Sequence, residues 1–332
     1  MSEVALEVKQ QGNVIYARHH AVAQNEKVAL MAGLNKPQKT ISPKYFYDTR
    51  GSELFEKITQ APEYYPTRTE RSILSNNAEE IAGYCGVNSV LIEPGSGSSE
   101  KVRLILDDLK PKAYVPMDIA GEFLHRSALN LSLEFPWLDI HAVCADFSSL
   151  NVPPADIPQG NRVVFYPGST LGNMTPREAS QFLKKIRDWI AFNSASEQGG
   201  VLIGIDLHKS TARLNAAYND KDGLTEQFNL NMLSNINKLF DGDFSEDNFD
   251  HLAYYNEDHR RIEMHLVSKS DHVVNLDDAR IKFTAGETIH TENSYKYTLT
   301  SFAELASDSG LEVIKSWVDD ESLFSVHYLV AK

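Results

Sequence analysis

Residues 89–101, SVLIEPGSGSSEK, place an acid and two glycines directly after a short apolar run. Ser89, Val90, Leu91 and Ile92 have the pattern of a parallel strand covered on both faces, with Glu93, Gly95 and Gly97 at its carboxyl end. Open α/β sheets bind ligands at that end. Gly95 and Gly97 permit a tight turn and a close approach of backbone to ligand. A second acid, Asp118, closes the next apolar run, AYVPMDIA, at the distance expected of a ribose-binding carboxylate. Together these residues predict a cradle for an adenosine-like group.

What the loop lacks narrows the ligand. A dinucleotide fingerprint needs a third glycine three residues after the second, where Glu100 stands, and a Walker lysine pattern is absent as well. Acids and glycines without a phosphate-binding apparatus suit S-adenosylmethionine, whose tail offers an ammonium to carboxylates and whose sulfonium carries no phosphate. A Gly-x-Gly after a strand is also common in plain turns, so the later strands must decide. Methyl transfer from a sulfonium releases a neutral thioether and needs an aimed nucleophile more than an acid or base. The expected parts are an acceptor clamp and an aromatic or polar wall, and no Gly-x-Ser-x-Gly elbow argues for a triad.

Three stretches offer that clamp. In FYPGSTLGNMTP, residues 165–176, Ser169, Thr170 and Asn173 are small polar groups after the fourth strand, and Asn173 could hold an acceptor carboxylate or amine. The Thr175-Pro176 pair also reads as a helix start, and taken alone that is the better account. KYFYDTRGSELFEKITQAPEYYPTR, residues 44–68, carries Tyr45, Tyr47, Tyr64 and Tyr65. Their rings and hydroxyls suit an ammonium-bearing acceptor, or pack against an adjoining helix. In HTENSYKY the two-residue period puts Glu292 and Ser294 on one face, about 7 Å apart, and Asn293 with Tyr295 on the other. Two such groups can grip a planar donor–acceptor ring, although a solvated strand face has the same pattern. Met264 in RIEMHL shares an apolar face with Ile262 and Leu266. No metal site is expected, because His259 and His265 flank Glu263 without a metal-binding spacing.

An alternating α/β frame must position these residues. Strand-like apolar runs fall at 89–93, 113–119, 140–147, 161–167, 201–207, 311–318 and 324–331, with helical periodicity between the earlier ones, as at Phe182, Ile186, Trp189 and Ile190. Strands alternating with helices make a parallel sheet, and the last two runs, joined by a short turn, make a closing antiparallel hairpin. Seven strands ending that way describe the Rossmann-like class I methyltransferase sheet. The helix of SFAELASDSG should follow the fifth strand directly, yet about ninety residues intervene. That insertion holds an amphipathic helix, roughly 224–240, with Leu224, Phe228, Met232, Ile236 and Leu239 on one face, then strands in RRIEMHLVSK and HTENSYKYTL. The expected division is a cofactor-binding domain of 70–206 and 298–332, a substrate-binding domain of 15–69 and 207–297, and a tail of 1–14. The second domain should carry the acceptor pocket.

Composition sets outer limits. The 332 residues are 42% hydrophobic and 23% charged, enough for a large core and more than one doubly wound domain needs. The N-terminus shows neither a basic flank nor a long apolar stretch, so a soluble, cytoplasmic protein with no membrane partner is expected; a monomer is expected as well. Cys85 and Cys144 imply no disulfide framework. A net charge of −14 argues against nucleic acid, and the acidic run DGDFSEDNFD, 241–250, reads as a solvated loop.

PKYFYDTRGSELFEKITQAPEYYPTRTE, IEPGSGSSEK, VCADF, PGSTLGN, RIEMHL and HTENSYKY, in this order, resemble the histidine-specific Nα-methyltransferases of the ergothioneine pathway, which make Nα,Nα,Nα-trimethylhistidine. The resemblance runs from about residue 43 to the end, and its EYYPTR and TENSYK runs are not general methyltransferase features. It implies cofactor contacts at Gly95, Lys101, Asp118, Asp146 and Phe147, the last two beside the adenine, with Gly97 completing the cradle. It implies substrate contacts at Tyr47, Tyr64, Asn173, Tyr218, Met264, Glu292 and Ser294. Asn173 and Tyr218 would meet the carboxylate, Glu292 and Ser294 the imidazole, and Tyr47 with Asn173 would serve the reaction directly. The chain departs from the pattern at Tyr166 and Pro167, where bacterial members have Leu, and at Asn293 and Tyr295. The function expected is three-fold methylation of the α-amine of histidine. Another amino acid or amine as acceptor, such as a tryptophan derivative, is the alternative, as is a non-catalytic regulatory protein that binds S-adenosylmethionine.

Overall fold

A computed structural model describes residues 6–19, 23–147, 150, 157–191 and 199–332. They form two compact units. One takes the described residues of Met1–Ala21, Pro66–His208 and Lys296–Lys332, the other those of Val22–Tyr65 and Lys209–Tyr295.

The first unit is built on one nine-stranded sheet. Its order is Leu6–Gln11, Val14–His19, Asp139–Cys144, Ala113–Asp118, Val90–Pro94, Arg162–Tyr166, Gly200–Asp206, Phe324–Ala331 and Leu311–Val318. The central strands run parallel, and the last two are antiparallel to each other, with Phe324–Ala331 also antiparallel to Gly200–Asp206. Val90–Pro94, Arg162–Tyr166 and Gly200–Asp206 are buried throughout, as predominantly apolar parallel strands under helices are, with Glu93, Arg162 and Asp206 the charged residues at or next to their ends. The core joins Leu91, Tyr114, Ile140 and Val163 of the sheet to Ile105, Leu106 and Leu109 of the Arg103–Leu109 helix and Leu124 and Leu131 of the Gly121–Glu134 helix.

The N-terminal expectation is corrected. Residues 6–14 are not a tail, and 15–19 do not join the substrate unit. Leu6–Gln11 and Val14–His19 form a hairpin around Gly12, whose φ of 60° suits the turn. The second of these strands pairs parallel with Asp139–Cys144, burying Val14, Tyr16 and Ala17. The sheet therefore has nine strands rather than seven. The signal was the Gly12-Asn13 dipeptide before a half-buried alternation.

In the second unit the Leu224–Phe240 helix buries Phe228, Met232 and Ile236 as its period requires, whereas Leu239 is exposed. Its sheet has four strands in the order Lys39–Thr40, Thr288–Tyr295, Arg261–Ser268 and Phe249–Asn256. The last two residues of the acidic run read as a loop, Phe249 and Asp250, start the last of these strands, where Phe249 is buried. A further hairpin, His272–Leu276 with Ala279–Phe283, turns through Asp277 at φ 52°. No helix among the described residues is long and apolar enough to cross a membrane.

Candidate active site

In the first unit the strand-end loop has the conformation its glycines predict. Gly95 and Gly97 sit at φ 72° and 53°, in the left-handed region that a side chain disfavours. The amides of Gly95 and Ser96 both donate to the Met117 carbonyl, at 2.7 and 3.0 Å, which stitches the loop to the end of the next strand. There the Gly97 amide donates to Asp118 Oδ2 at 3.0 Å and the Ala120 amide to Oδ1 at 2.9 Å. Burial pushes the Asp118 carboxyl up, against the pull of these amides. A Cβ on Gly95 would stand in ordinary contact with the Phe147 ring, at 3.5 Å, so the φ of 72° rather than lack of space is what favours glycine there. The hydroxyl of Ser96 is buried with no partner. A carboxylate fixed at a strand end, an aromatic ring and a hydroxyl without a partner fit an adenosyl group.

Two buried acids support the loop from behind. Glu93 is 2% exposed and hydrogen-bonded to Tyr114, whose hydroxyl also contacts Ser99 Oγ at 3.0 Å. Burial pushes the Glu93 carboxyl up to about 8, with Tyr114 and Lys101 opposing, so it holds its proton at neutral pH. Glu70, on the Tyr65–Asn76 helix, was not singled out by sequence reasoning. It is 1% exposed, pairs with Lys101 Nζ at 2.5 Å and accepts the Gly168 amide at 2.9 Å. Glu70 thereby fixes both Lys101 and the PGSTLGN loop. That loop is further set by Ser169, at φ 55°, whose Oγ accepts the Asp206 amide at 2.8 Å. Asn173 closes the short helical turn Thr170–Asn173 and is half-buried. The departing residue Tyr166 is buried and packs on Phe182 and Phe147 at centroid distances of 4.8 and 6.3 Å. It braces the aromatic wall of the loop.

In the second unit the tyrosines separate into two roles. Tyr47 meets Phe55 and Phe228 edge-on at 6.1 and 5.6 Å, and Phe55 meets Tyr64, which meets Tyr218 at 6.4 Å. Tyr47, Tyr64 and Tyr218 thus share one continuous aromatic array. Tyr45 and Tyr65 lie outside it: Tyr45 packs edge-on against Phe240, and Tyr65 takes Lys209 Nζ on its hydroxyl at 2.7 Å. On the sheet, Met264 stands opposite Glu292 and Ile262 opposite Ser294, so the expected face is present as one patch. Ser294 and Met264 are buried and Glu292 is half-buried. The departures are on the reverse face, where Asn293 pairs with Glu263 and the Tyr295 hydroxyl accepts from Arg261 at 2.6 Å.

The model of a family described as histidine-specific, S-adenosylmethionine-dependent methyltransferases matches residues 25–331. A histidine N-alpha-methyltransferase of Mycobacterium tuberculosis is 40% identical over 303 residues, covering 89% of this chain and 91% of the relative. One from Mycolicibacterium smegmatis is 36% identical over 322 residues, covering 95% and 98%. Ergothioneine biosynthesis protein 1 of Neurospora crassa is 30% identical over 282 residues, which are 82% of this chain but 31% of that longer protein.

Proposed function

The chain belongs to the family of histidine-specific, S-adenosylmethionine-dependent methyltransferases, and from that premise we propose that it converts L-histidine to Nα,Nα,Nα-trimethylhistidine (hercynine), a step of ergothioneine formation. S-adenosylmethionine, when bound, supplies an electrophilic methyl group on a sulfonium. What supports histidine as the acceptor is the patch of Glu292 and Ser294 facing Met264 and Ile262 across two strands. A carboxylate and a hydroxyl so placed match the two nitrogens of an imidazole, one donating and one accepting. Asn173 and Tyr218 are assigned to the acceptor carboxylate, Tyr64 and Met264 to the wall, and Gly95, Gly97, Lys101, Asp118, Asp146 and Phe147 to the cofactor.

The residues aim; they need not take a proton. Free α-amines titrate near pH ~8, so an appreciable neutral fraction exists at neutral pH and solvent can accept the proton. The amine would present its lone pair to the methyl group that the bound cofactor would supply, the C–S bond breaking to release a neutral thioether, and the nitrogen would lose its proton to solvent before each further transfer. The Tyr47 ring can retain the methylated ammonium by a face contact worth about 0.5–2 kcal/mol.

Mass spectrometry of histidine incubated with the enzyme and cofactor tests the reading. Trimethylhistidine should accumulate, and mono- and dimethylhistidine should themselves be substrates. A permanent stop at the monomethyl product refutes three-fold transfer, and unmodified histidine refutes the acceptor. Asp118→Ala is expected to weaken S-adenosylmethionine and S-adenosylhomocysteine by roughly 1.5–3 kcal/mol, the usual value for a hydrogen bond to a charged group. Titration calorimetry reads this directly, with NAD giving no binding heat. Unchanged affinity would remove Asp118 from the cofactor site.

A further inference from the structure

The reverse face of the four-stranded sheet carries a second cluster that the methyl-transfer reading leaves unused. One ring nitrogen each from His265 and His290 and a carboxylate oxygen of Glu263 lie within 4.8 Å of one another. Cross-strand register brings them together, since His265 on one strand stands opposite His290 on the next. The two imidazoles stack at 4.6 Å, and the Tyr254 ring stacks on the other side of His265 at 5.7 Å. A cavity of about 370 Å³ opens over the cluster. We propose that this cluster binds a divalent transition-metal cation of the zinc class, with Glu263, His265 and His290 as its ligands.

Imidazole nitrogen with a single carboxylate oxygen suits zinc, cobalt or nickel, and does not suit magnesium or calcium, which prefer all-oxygen shells. The Glu263 carboxylate already accepts from Arg261 Nε at 2.8 Å and Asn256 Nδ2 at 3.0 Å on Oε1 and from the Tyr254 hydroxyl at 2.9 Å on Oε2, so a metal would exchange for the His265 contact on Oε2. His290 Nε2 lies 3.0 Å from the Glu292 carbonyl oxygen. Donation there leaves Nδ1 with a lone pair, the arrangement in which metal-binding histidines are commonly fixed by a backbone carbonyl. Nδ1 of His265 is buried without a partner, while its Nε2 is the nitrogen that faces Glu263. Arg261 occupies Glu263 Oε1 at 2.6 Å, while Oε2 is the oxygen nearest His265, at 3.0 Å. That guanidinium limits the affinity below that of an all-cysteine structural site. The inference rests on this geometry alone and stands whichever amine is the methyl acceptor.

The test uses the full chain stripped with a chelator, without histidine in the buffer, because free histidine binds the same metals. Cobalt(II) chloride is titrated while visible absorption is recorded, and zinc chloride is titrated by calorimetry. One cobalt per chain should produce ligand-field bands that zinc displaces. His290→Ala should weaken binding about tenfold or more, and His265→Ala should abolish the bands. His259→Ala, which changes a cavity-lining residue outside the cluster, should leave both readouts as they are. If His265→Ala fails to fold, the half-buried His290 decides the matter. Absent bands, or bands equally strong in His290→Ala, would overturn the assignment and leave adventitious binding by surface histidines.

Discussion

Replacing Glu292 by alanine should lower kcat/KM for histidine by roughly 2–3 kcal/mol, about 30- to 150-fold, while S-adenosylmethionine affinity stays within a factor of about two. The argument begins with strand geometry. Glu292 and Ser294 are two residues apart on Thr288–Tyr295 and therefore share a face, opposite the buried Met264 and Ile262. A carboxylate there can accept from one imidazole nitrogen, with the Ser294 hydroxyl at the other. A site that hydrogen-bonds its substrate rejects analogues lacking the group, since its own polar atoms are then left buried and unsatisfied. Loss of the carboxylate should accordingly cost histidine more than it costs tryptophan, whose indole offers one donor and no acceptor. Steady-state kinetics of the purified variant with both amino acids decides the point. An equal loss for both, or none for histidine, would place Glu292 outside the ring-binding site.

The parts of the molecule that could be read from sequence are those whose geometry is local. Gly95, Gly97 and Asp118 announced themselves because a strand, a turn and a second strand end fix their relation within a few tens of residues, and the Gly97 amide does meet Asp118. Glu292 and Ser294 were legible through a period of two, which holds from Glu292 to Tyr295 beyond the irregularity in that strand. The Leu224–Phe240 helix was legible through its apolar stripe. Glu70 was not, because its partners are Lys101 and Gly168, the latter 98 residues away, and nothing in EYYPTRTE distinguishes that acid from its solvated neighbours. The Glu263, His265 and His290 cluster was missed for a related reason. Metal-binding spacings describe ligands on one helix or one turn, whereas these come from two strands whose register is shifted by an irregularity between Met264 and His265. The N-terminal hairpin was missed because its first strand, LEVKQQ, is largely exposed and carries little apolar signal. Its identity depends on the edge that the Asp139–Cys144 strand presents to Val14–His19.

Lys296→Ala should be the most destabilising of the substitutions considered, at about 3–5 kcal/mol, because it breaks an ion pair that is closed to water. Lys296 Nζ lies 2.7 Å from Asp206 Oδ2, and their side chains are 0% and 2% exposed. Both belong to the first unit, at the point where the chain re-enters it after the insertion. The backbone closes the same junction, since the Tyr297 amide donates to the Asp206 carbonyl at 3.2 Å and the His208 amide to the Tyr297 carbonyl at 2.8 Å. Removing the ammonium would leave the Asp206 carboxylate buried without the cation that lies 2.7 Å from it, and its desolvation cost would then lose that offset. The Asp206 amide also holds Ser169 Oγ, so relaxation at Asp206 should disturb the loop that carries Asn173 as well as the fold. Denaturant unfolding of the first unit measures the loss, with its midpoint falling while the cofactor-bound state is partly rescued by ligand. The physical cause is separable from simple loss of contacts. Replacing both partners by apolar residues of similar size, Lys296→Met with Asp206→Leu, removes the charge problem altogether, and buried pairs exchanged in this way are often neutral in stability. The double variant should therefore be more stable than Lys296→Ala alone; if it is less stable, the pair is a net source of stability and the cost lies in the contacts themselves.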